Sequence, residues 1–175
     1  MELSVHLEID LSSWNPQTYP HLDTTEYVLT LAEKKDLKRI SDIARSSFTS
    51  DRFHLDFNIP KEYADQRFAQ WIFNSYENKE QVYKFIDPAG RIIGFFITKD
   101  EKKFSNLRLA ALDPRYLHKG LGRILYYKMF RLLKSQKIDK AIAQISCNNV
   151  SVLNVYSYLT HPKFMSPVAI FHTHI

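Results

Sequence analysis

Residues 107–134, which read LRLAALDPRYLHKGLGRILYYKMFRLLK, carry the local signals that decide the fold of this chain. The apolar run at 107–112 stops at Asp113 and Pro114, and proline lacks the N–H that a strand ladder needs, so the run predicts a strand that ends near Leu112. Apolar residues then recur at helical spacing, at Leu121, Ile124, Leu125, Met129, Leu132 and Leu133. The stretch therefore predicts a strand, a short loop and an amphipathic helix.

The loop carries two glycines, in the order His118-Lys119-Gly120-Leu121-Gly122. Glycine lets the backbone approach a ligand closely, and the start of a helix turns unpaired N–H groups outward. Together these features favour a bound phosphate, although two glycines before a helix also occur in ordinary turns.

This stretch resembles motif A of the GCN5-related N-acetyltransferases (GNAT), whose loop reads Gln or Arg, any two residues, Gly, any residue, then Gly or Ala. Gly120 and Gly122 occupy the two glycine positions, whereas Leu117 stands where the family has Gln or Arg. The resemblance implies that main-chain N–H groups hold the pyrophosphate of acetyl-CoA, and such groups do not depend on side-chain identity. It also implies that the pantetheine arm pairs beside Leu112 like an added strand. The positions expected to bind the cofactor are Leu112, Leu117, His118, Lys119, Gly120, Leu121, Gly122, Arg123 and Asn149.

Composition predicts one soluble domain. The chain has 175 residues, 45% of them hydrophobic and 14% aromatic, which is enough for one sizeable core. Residues 1–10 lack the pattern of a signal peptide, and the chain has no apolar run long enough for a membrane span, so we expect a cytoplasmic protein. The single cysteine, Cys147, excludes an internal disulfide, and the absence of CxxC and HExxH spacing gives no reason to expect a metal.

The net charge of +5 is spread along the chain. No run of basic residues and no nucleic-acid-binding motif accompanies it, so we expect no nucleic-acid partner. The charge suits either a solvated surface or an anionic cofactor or substrate. The sequence leaves open whether the protein forms a homodimer.

The remaining patterns predict elements on both sides of residues 107–134. Strands are expected at 27–31, 81–86, 91–98, 141–146 and 168–174, and helices at 37–48, 63–75 and 149–159. Residues 87–90, DPAG, predict a hairpin turn, and Gly94 predicts a bulge or a close contact. We expect residues 1–26 to form an extended arm or an edge strand, and residues 27–175 to form the acetyltransferase domain.

This order is that of an α/β protein. With the resemblance, it implies the acyl-CoA N-acyltransferase (GNAT) fold, in which helices flank a mixed, mostly antiparallel central sheet. The expected activity is N-acetyl transfer from acetyl-CoA to a primary amine. A non-catalytic acyl-CoA-binding domain on the same fold is the alternative.

Acetyl transfer requires a neutral amine, a stabilised oxyanion and a proton for the departing thiolate. The family places Asn, six residues, then Tyr on its later helix, and Asn149 and Tyr156 have that separation. The resemblance implies that Asn149 hydrogen-bonds the cofactor arm and that Tyr156 is the catalytic acid. The candidates for the base are Asp113 or His54 acting through water, and solvent itself. Cys147 could in principle be acylated, but direct transfer is the expected route.

Residues 47–75 resemble the acceptor region of enzymes that acetylate dTDP-linked amino sugars. Arg52 could pair with a diphosphate, Phe53 or Phe57 could cover a sugar or base, and His54 or Asp56 could orient the amine. The expected acceptor is therefore the amine of a nucleotide-linked sugar such as a dTDP-amino sugar, and the alternatives are a peptide N-terminus or lysine and a small polyamine.

Overall fold

The computed structural model describes residues 2–49, 51 and 53–170, and it contains one mixed sheet with helices on both faces. The strands are β1 (Glu2–Asp10), β2 (Val28–Leu31), β3 (Gln81–Ile86), β4 (Ile92–Glu101), β5 (Phe104–Leu112), β6 (Lys140–Ser146), β7 (Lys163–Phe164) and β8 (Val168–Ile170). The helices are α1 (Leu37–Ser47), α2 (Lys61–Glu77), α3 (Leu121–Ser135) and α4 (Val150–Leu159). Each predicted helix is confirmed, as is each predicted strand within the described residues; residues 171–174 of the last one lie outside them.

The sheet has the strand order β2-β3-β4-β5-β6-β1-β7, and β8 also pairs with β1. Among the described residues, only the β5–β6 pairing is parallel, and the other pairings are antiparallel. The crossover between these two parallel strands is α3, as expected for a helix that returns the chain to the same end of the sheet. The expected mixed, mostly antiparallel sheet is confirmed.

The prediction for the N-terminal residues is wrong in one respect. Glu2–Asp10 does form a strand, but β1 lies between β6 on one side and β7 with β8 on the other, so it is neither an arm nor an edge. The alternation of the sequence places Leu7 and Ile9 in the core, with 0% and 1% of their surface exposed. Alternation reveals a half-buried strand, but it carries no information on which strands become its neighbours.

Each face of the sheet covers a separate apolar cluster. Below α3 and α4 lies a cluster that includes Leu7, Phe96 and Phe130. Below α1 and α2 lies a second cluster that includes Ile40 and Phe95. The segment after β1 closes the first cluster, because the indole of Trp14 packs there and donates a hydrogen bond of 2.7 Å to the carbonyl of Leu159.

Gly94 lies at a close approach of two strands, as the sequence predicted. A Cβ at this position would come within 2.8 Å of both the Ala111 carbonyl oxygen and the Leu112 side chain. The pairing of β3 with β4 is also irregular beside it, between Phe85 and Ile86. Glycine is therefore required here by the packing of β4 on β5.

Candidate active site

The central feature of the site is an opening between the two parallel strands. β5 and β6 pair from Phe104 and Lys140 as far as Leu107 and Ala143. Both strands continue beyond this point without pairing to each other. The edge of β5 that faces the opening therefore presents main-chain N–H and C=O groups that the sheet does not use.

A β-bulge begins the opening. On the other side of β5, Thr98 pairs with Leu107 and Ile97 pairs with Leu109, so Arg108 is an extra residue in the ladder. A bulge bends its strand and increases the local twist, which turns the end of β5 away from β6. The parting of the strands is thus built into the backbone of β5.

A cleft of about 400 Å³ occupies this opening and reaches both faces of the sheet. On the face of α3 and α4 its walls include Phe96, Leu107, Ala110, Tyr126, Ala143, Ile145, Asn149, Val152 and Tyr156. On the opposite face they include Ser4, His6, Phe48, Asp51, Phe53, Arg67, Phe68, Trp71, Arg108 and Gln144. We call the first wall set the α3/α4 side and the second the α1/α2 side. Two reactants could enter from opposite faces and meet between β5 and β6.

The glycine loop lies at the N-terminus of α3, just beyond the end of β5. Gly120 is the N-cap residue and has φ of +73°, a conformation that glycine adopts without strain. At Gly122, by contrast, an added Cβ would meet no atom within 4 Å, so the packing of the chain does not demand glycine there. Such a position leaves open space over the first turn of α3, where the helix start offers unpaired N–H groups. The loop therefore fits a bound phosphate.

The basic side chains of the loop are exposed and lie against aromatic rings. The ammonium group of Lys119 is 5.2 Å from the centre of the Tyr116 ring, and the guanidinium of Arg123 is 4.3 Å from the centre of the Tyr158 ring. The exposed Leu117 has φ and ψ of −67° and 162°, an extended conformation that continues the chain away from β5. These positions remain consistent with a loop that holds an anion by its backbone.

Asn149 is the N-cap of α4. Its side-chain oxygen accepts a hydrogen bond of 3.2 Å from the N–H of Val152. It also lines the cleft, at the point where β6 passes into α4. The amide nitrogen of Asn149 carries two further donors, so capping and binding are compatible.

Tyr156 lies on α4 with its ring in the core and its side chain lining the cleft. Only 2% of its surface is exposed. Burial raises the pKa of Tyr156 well above its ordinary value, and the neighbouring Tyr126 adds to the rise. The Tyr156 hydroxyl is consequently protonated throughout the range in which enzymes usually work, as a proton donor must be.

Tyr126 is a cleft residue that the sequence analysis missed. It lies on α3, and its ring centre is 5.1 Å from that of Tyr156 and 5.0 Å from that of Phe96, both in edge-to-face geometry. Burial raises the pKa of Tyr126 as well. In sequence, Tyr126 looks like any core residue of an amphipathic helix. Only the packing of α4 on α3 brings its phenol next to that of Tyr156.

Both side-chain candidates for the base are engaged elsewhere. Hydrogen bonds from Arg115 and Arg39 hold the pKa of Asp113 well below its ordinary range, although burial acts in the opposite direction. The Arg115 contact is bidentate, at 3.0 and 2.7 Å. Asp113 is therefore a structural anion at the end of β5, and the prediction of a base is not supported for it.

His54 is held between two carboxylates. Its Nδ1 contacts Asp51, its Nε2 lies 2.9 Å from Asp65, and 3% of its side chain is exposed. Burial would raise the pKa of Asp65, yet hydrogen bonds from Lys61 and His54 outweigh it and the pKa is lowered. Because both ring nitrogens are engaged, His54 is placed neither to accept a proton from the acceptor nor to orient its amine.

The other predicted acceptor residues have different positions. Phe53 lines the α1/α2 side of the cleft. Asp56 accepts hydrogen bonds from the backbone and side chain of Asn58, at 3.0 and 3.3 Å, and is not among the described residues that line the cleft. Arg52 lies outside the described residues.

Cys147 follows the end of β6 and is exposed. Its N–H donates to the carbonyl of Leu3 at 2.8 Å, which ties it to β1. Cys147 is not among the described residues that line the cleft, so the geometry gives no support to an acylated cysteine. None of the helices in the described part of the chain has the length and apolar character of a membrane span.

Comparison with known proteins agrees with this geometry. The sequence model of the acetyltransferase (GNAT) family matches residues 37–159. The chain is 25% identical over 126 residues to the spore coat polysaccharide biosynthesis protein SpsD of Bacillus subtilis (strain 168), a match that covers 71% of this chain and 43% of that protein. The chain thus spans less than half the length of this relative.

Two solved structures show the same fold. A GNAT-family acetyltransferase from Colwellia psychrerythraea superposes with a TM-score of 0.64 at 12% identity, over 94% of this chain and 53% of that one. The PaiA N-acetyltransferase of Thermoplasma acidophilum, solved in complex with coenzyme A, superposes with a TM-score of 0.56 at 19% identity, over 75% of this chain and 87% of that one. The family match, the shared fold and the strand-loop-helix at the centre of the sheet show that this chain belongs to the acetyltransferase (GNAT) family.

Proposed function

We propose that this protein transfers an acetyl group from acetyl-CoA directly to the primary amine of a nucleotide-linked amino sugar. The observation that carries the proposal is the cleft that crosses the sheet between β5 and β6, with the protonated Tyr156 in its wall. A donor on one face and an acceptor on the other can react there without a covalent enzyme intermediate.

The donor, acetyl-CoA, is a substrate that supplies the activated acyl group. Main-chain N–H groups of the loop at 117–123 would hold its pyrophosphate, with Lys119 and Arg123 adding charge. The unpaired edge of β5 near Leu112 would bind the pantetheine amides as an added strand, and Asn149 would donate to the same arm. These groups fix the donor on the α3/α4 side of the cleft.

The chain's own groups account for the later steps. Main-chain N–H groups on the unpaired edge of β5 would stabilise the oxyanion as the amine attacks the thioester carbonyl. Tyr156 would give its proton to the departing thiolate as the C–S bond breaks. The proton released by the amine would pass to solvent, since Asp113 is held in ion pairs and both ring nitrogens of His54 contact carboxylates.

The acceptor class is supported by the relative and by the cleft. SpsD is a polysaccharide biosynthesis protein, and amino sugars are natural acceptors in that chemistry. The α1/α2 side of the cleft combines rings with guanidinium groups, a lining that suits a sugar or base next to an anion.

The test is thiol release from acetyl-CoA in the presence of three acceptors: a dTDP-amino sugar, a lysine peptide and spermidine. We expect release with the sugar nucleotide and little with the other two. Acetylation of the peptide or of spermidine alone would reject the acceptor class. If coenzyme A binds but acetyl-CoA releases no thiol with any of the amines, the non-catalytic alternative is favoured.

A further inference from the structure

The α1/α2 side of the cleft contains two arginines that converge on one tryptophan. The guanidinium carbon of Arg67, on α2, is 5.2 Å from the centre of the Trp71 ring, and that of Arg108, on β5, is 5.9 Å from the same ring. Both arginines and the tryptophan line the cleft. Two positive charges on separate elements thus lie near the same ring in its wall.

Aromatic rings fix the orientation of these side chains. The Arg67 guanidinium lies 3.9 Å from the centre of the Phe53 ring and 5.3 Å from that of Phe68. Trp71 is in turn stacked with Phe68, at 6.3 Å and 10°. A guanidinium held against rings loses little further freedom when it forms hydrogen bonds, so the pair is organised before a ligand arrives.

Arg108 is the bulged residue at which β5 and β6 begin to part. Its Nε is 3.7 Å from the carboxylate of Glu80, a contact longer than a hydrogen bond, and 39% of the Arg108 side chain is exposed. Glu80 therefore holds one edge of the guanidinium and leaves it only partly neutralised. The bulge places this charge beside the point where the acetyl group would be transferred.

The described acidic residues that line the cleft, Asp51 and Glu2, belong to segments other than α2 and β5. Asp51 accepts from the N–H of Phe53 at 2.9 Å and contacts His54 through its other oxygen. Glu2 and His6 belong to β1, which is separated from β5 by β6 and so lies about 10 Å away in the sheet. Glu2 on β1 and Arg108 on β5 therefore lie in different parts of the cleft wall, which suits an acceptor with an amine at one end and an anion at the other.

We propose that Arg67 and Arg108 bind the phosphate groups of the acceptor and so determine its specificity. This inference rests on the proposed acetyltransferase function and names the part of the acceptor that the site recognises. Two guanidinium forks match the spaced oxygens of a diphosphate better than a single carboxylate. The amine would then reach the opening from the far side of one sugar ring.

The first test does not depend on activity. Protein saturated with coenzyme A, so that the glycine loop is occupied, is titrated with inorganic pyrophosphate by calorimetry. We expect binding to the native protein, a loss of about 10-fold or more in affinity for Arg67→Gln and for Arg108→Gln, and no change for Arg45→Gln, an exposed arginine on α1 that does not line the cleft. Native affinity in both cleft variants, or no binding to the native protein, would overturn the proposal.

The second test uses the reaction. With a dTDP-amino sugar, the two cleft variants should raise KM about 10-fold or more with kcat nearly unchanged, and Arg67→Lys should restore only part of the loss. With a neutral amino sugar the two substitutions should change KM little. With an amino sugar that carries a carboxylate in place of the diphosphate, they should raise KM only slightly. An equal rise in KM for the neutral sugar would show that the arginines only maintain the fold. If the native protein acetylates no amine yet binds pyrophosphate through these residues, the proposed function fails and the anion site stands.

Discussion

Replacement of Tyr156 by phenylalanine tests the central step of the mechanism. The change removes the hydroxyl and keeps the ring, whose centre is 5.1 Å from that of Tyr126 and 6.0 Å from that of Phe130. Packing should therefore survive. The lost hydroxyl is buried beside Tyr126, so the free energy of unfolding should fall by no more than about 1 kcal/mol.

The expected effect on chemistry is much larger. Without an acid, the thiolate must leave unprotonated or wait for water, so kcat should fall by about 10²-fold or more, which corresponds to about 2.7 kcal/mol in the barrier. Coenzyme A affinity should change by less than about 2-fold, because the hydroxyl acts on the departing sulfur. Steady-state thiol release and calorimetry with coenzyme A measure the two quantities separately.

Tyr127→Phe is a matched control. This residue is on α3, is 1% exposed, and donates a hydrogen bond of 3.3 Å to the carbonyl of Pro16, away from the cleft. The control should lose comparable stability and keep native turnover. The pH profile adds a further check: because the pKa of Tyr156 is raised, native kcat should show no alkaline loss below about pH 10 from this group. Native turnover in Tyr156→Phe would refute the assignment of the acid.

The remaining predictions concern the glycine loop and the end of β5. Gly122→Val should weaken coenzyme A binding by about 10-fold or more while leaving the melting temperature near native, because its side chain enters open space in the protein alone; unchanged affinity in calorimetry would remove the loop from the site. Gly120→Val should also weaken binding, but its positive φ makes a loss of stability part of the effect. Asp113→Asn should destabilise the protein by about 1–3 kcal/mol at neutral pH by leaving Arg39 and Arg115 without their anion. The pKa of Asp113 is depressed in the folded protein, so its contribution to stability is present above the unfolded pKa of about 4 and is lost as pH falls through the folded pKa. The free energies of unfolding of the native protein and the variant, measured with denaturant, should therefore converge as pH falls below about 4. A constant difference down to pH 2 would contradict this linkage.

Local signals in the sequence were sufficient for most of the secondary-structure elements, and they are the basis of the proposed donor site. Pro114 ended a strand, Gly120 began a helix, and the spacing of Asn149 and Tyr156 placed both on α4 or at its cap. Each signal acts within a few residues of itself, through missing donors, permitted backbone angles or a helical period. Resemblance to the family then supplied the fold that arranges them.

The acceptor side depended on contacts between distant parts of the chain. In sequence, His54 and Asp113 were both reasonable candidates for the base. In the structure, α2 brings Asp65 to the second ring nitrogen of His54, and α1 brings Arg39, 74 positions away in sequence, to Asp113. Arg67 and Arg108 show no pattern in sequence, because they meet only where α2 crosses β5.

Strand β1 shows the same limit for the fold. Its alternation marked a strand, but its place between β6 and β7 follows from backbone pairing, which is nearly independent of side-chain identity. The sequence by itself determined most of the segments that become helices and strands, and it placed two glycines at the start of α3. Tertiary structure alone decided which strands are neighbours and which charged groups are already paired, because both depend on packing between residues far apart in the chain.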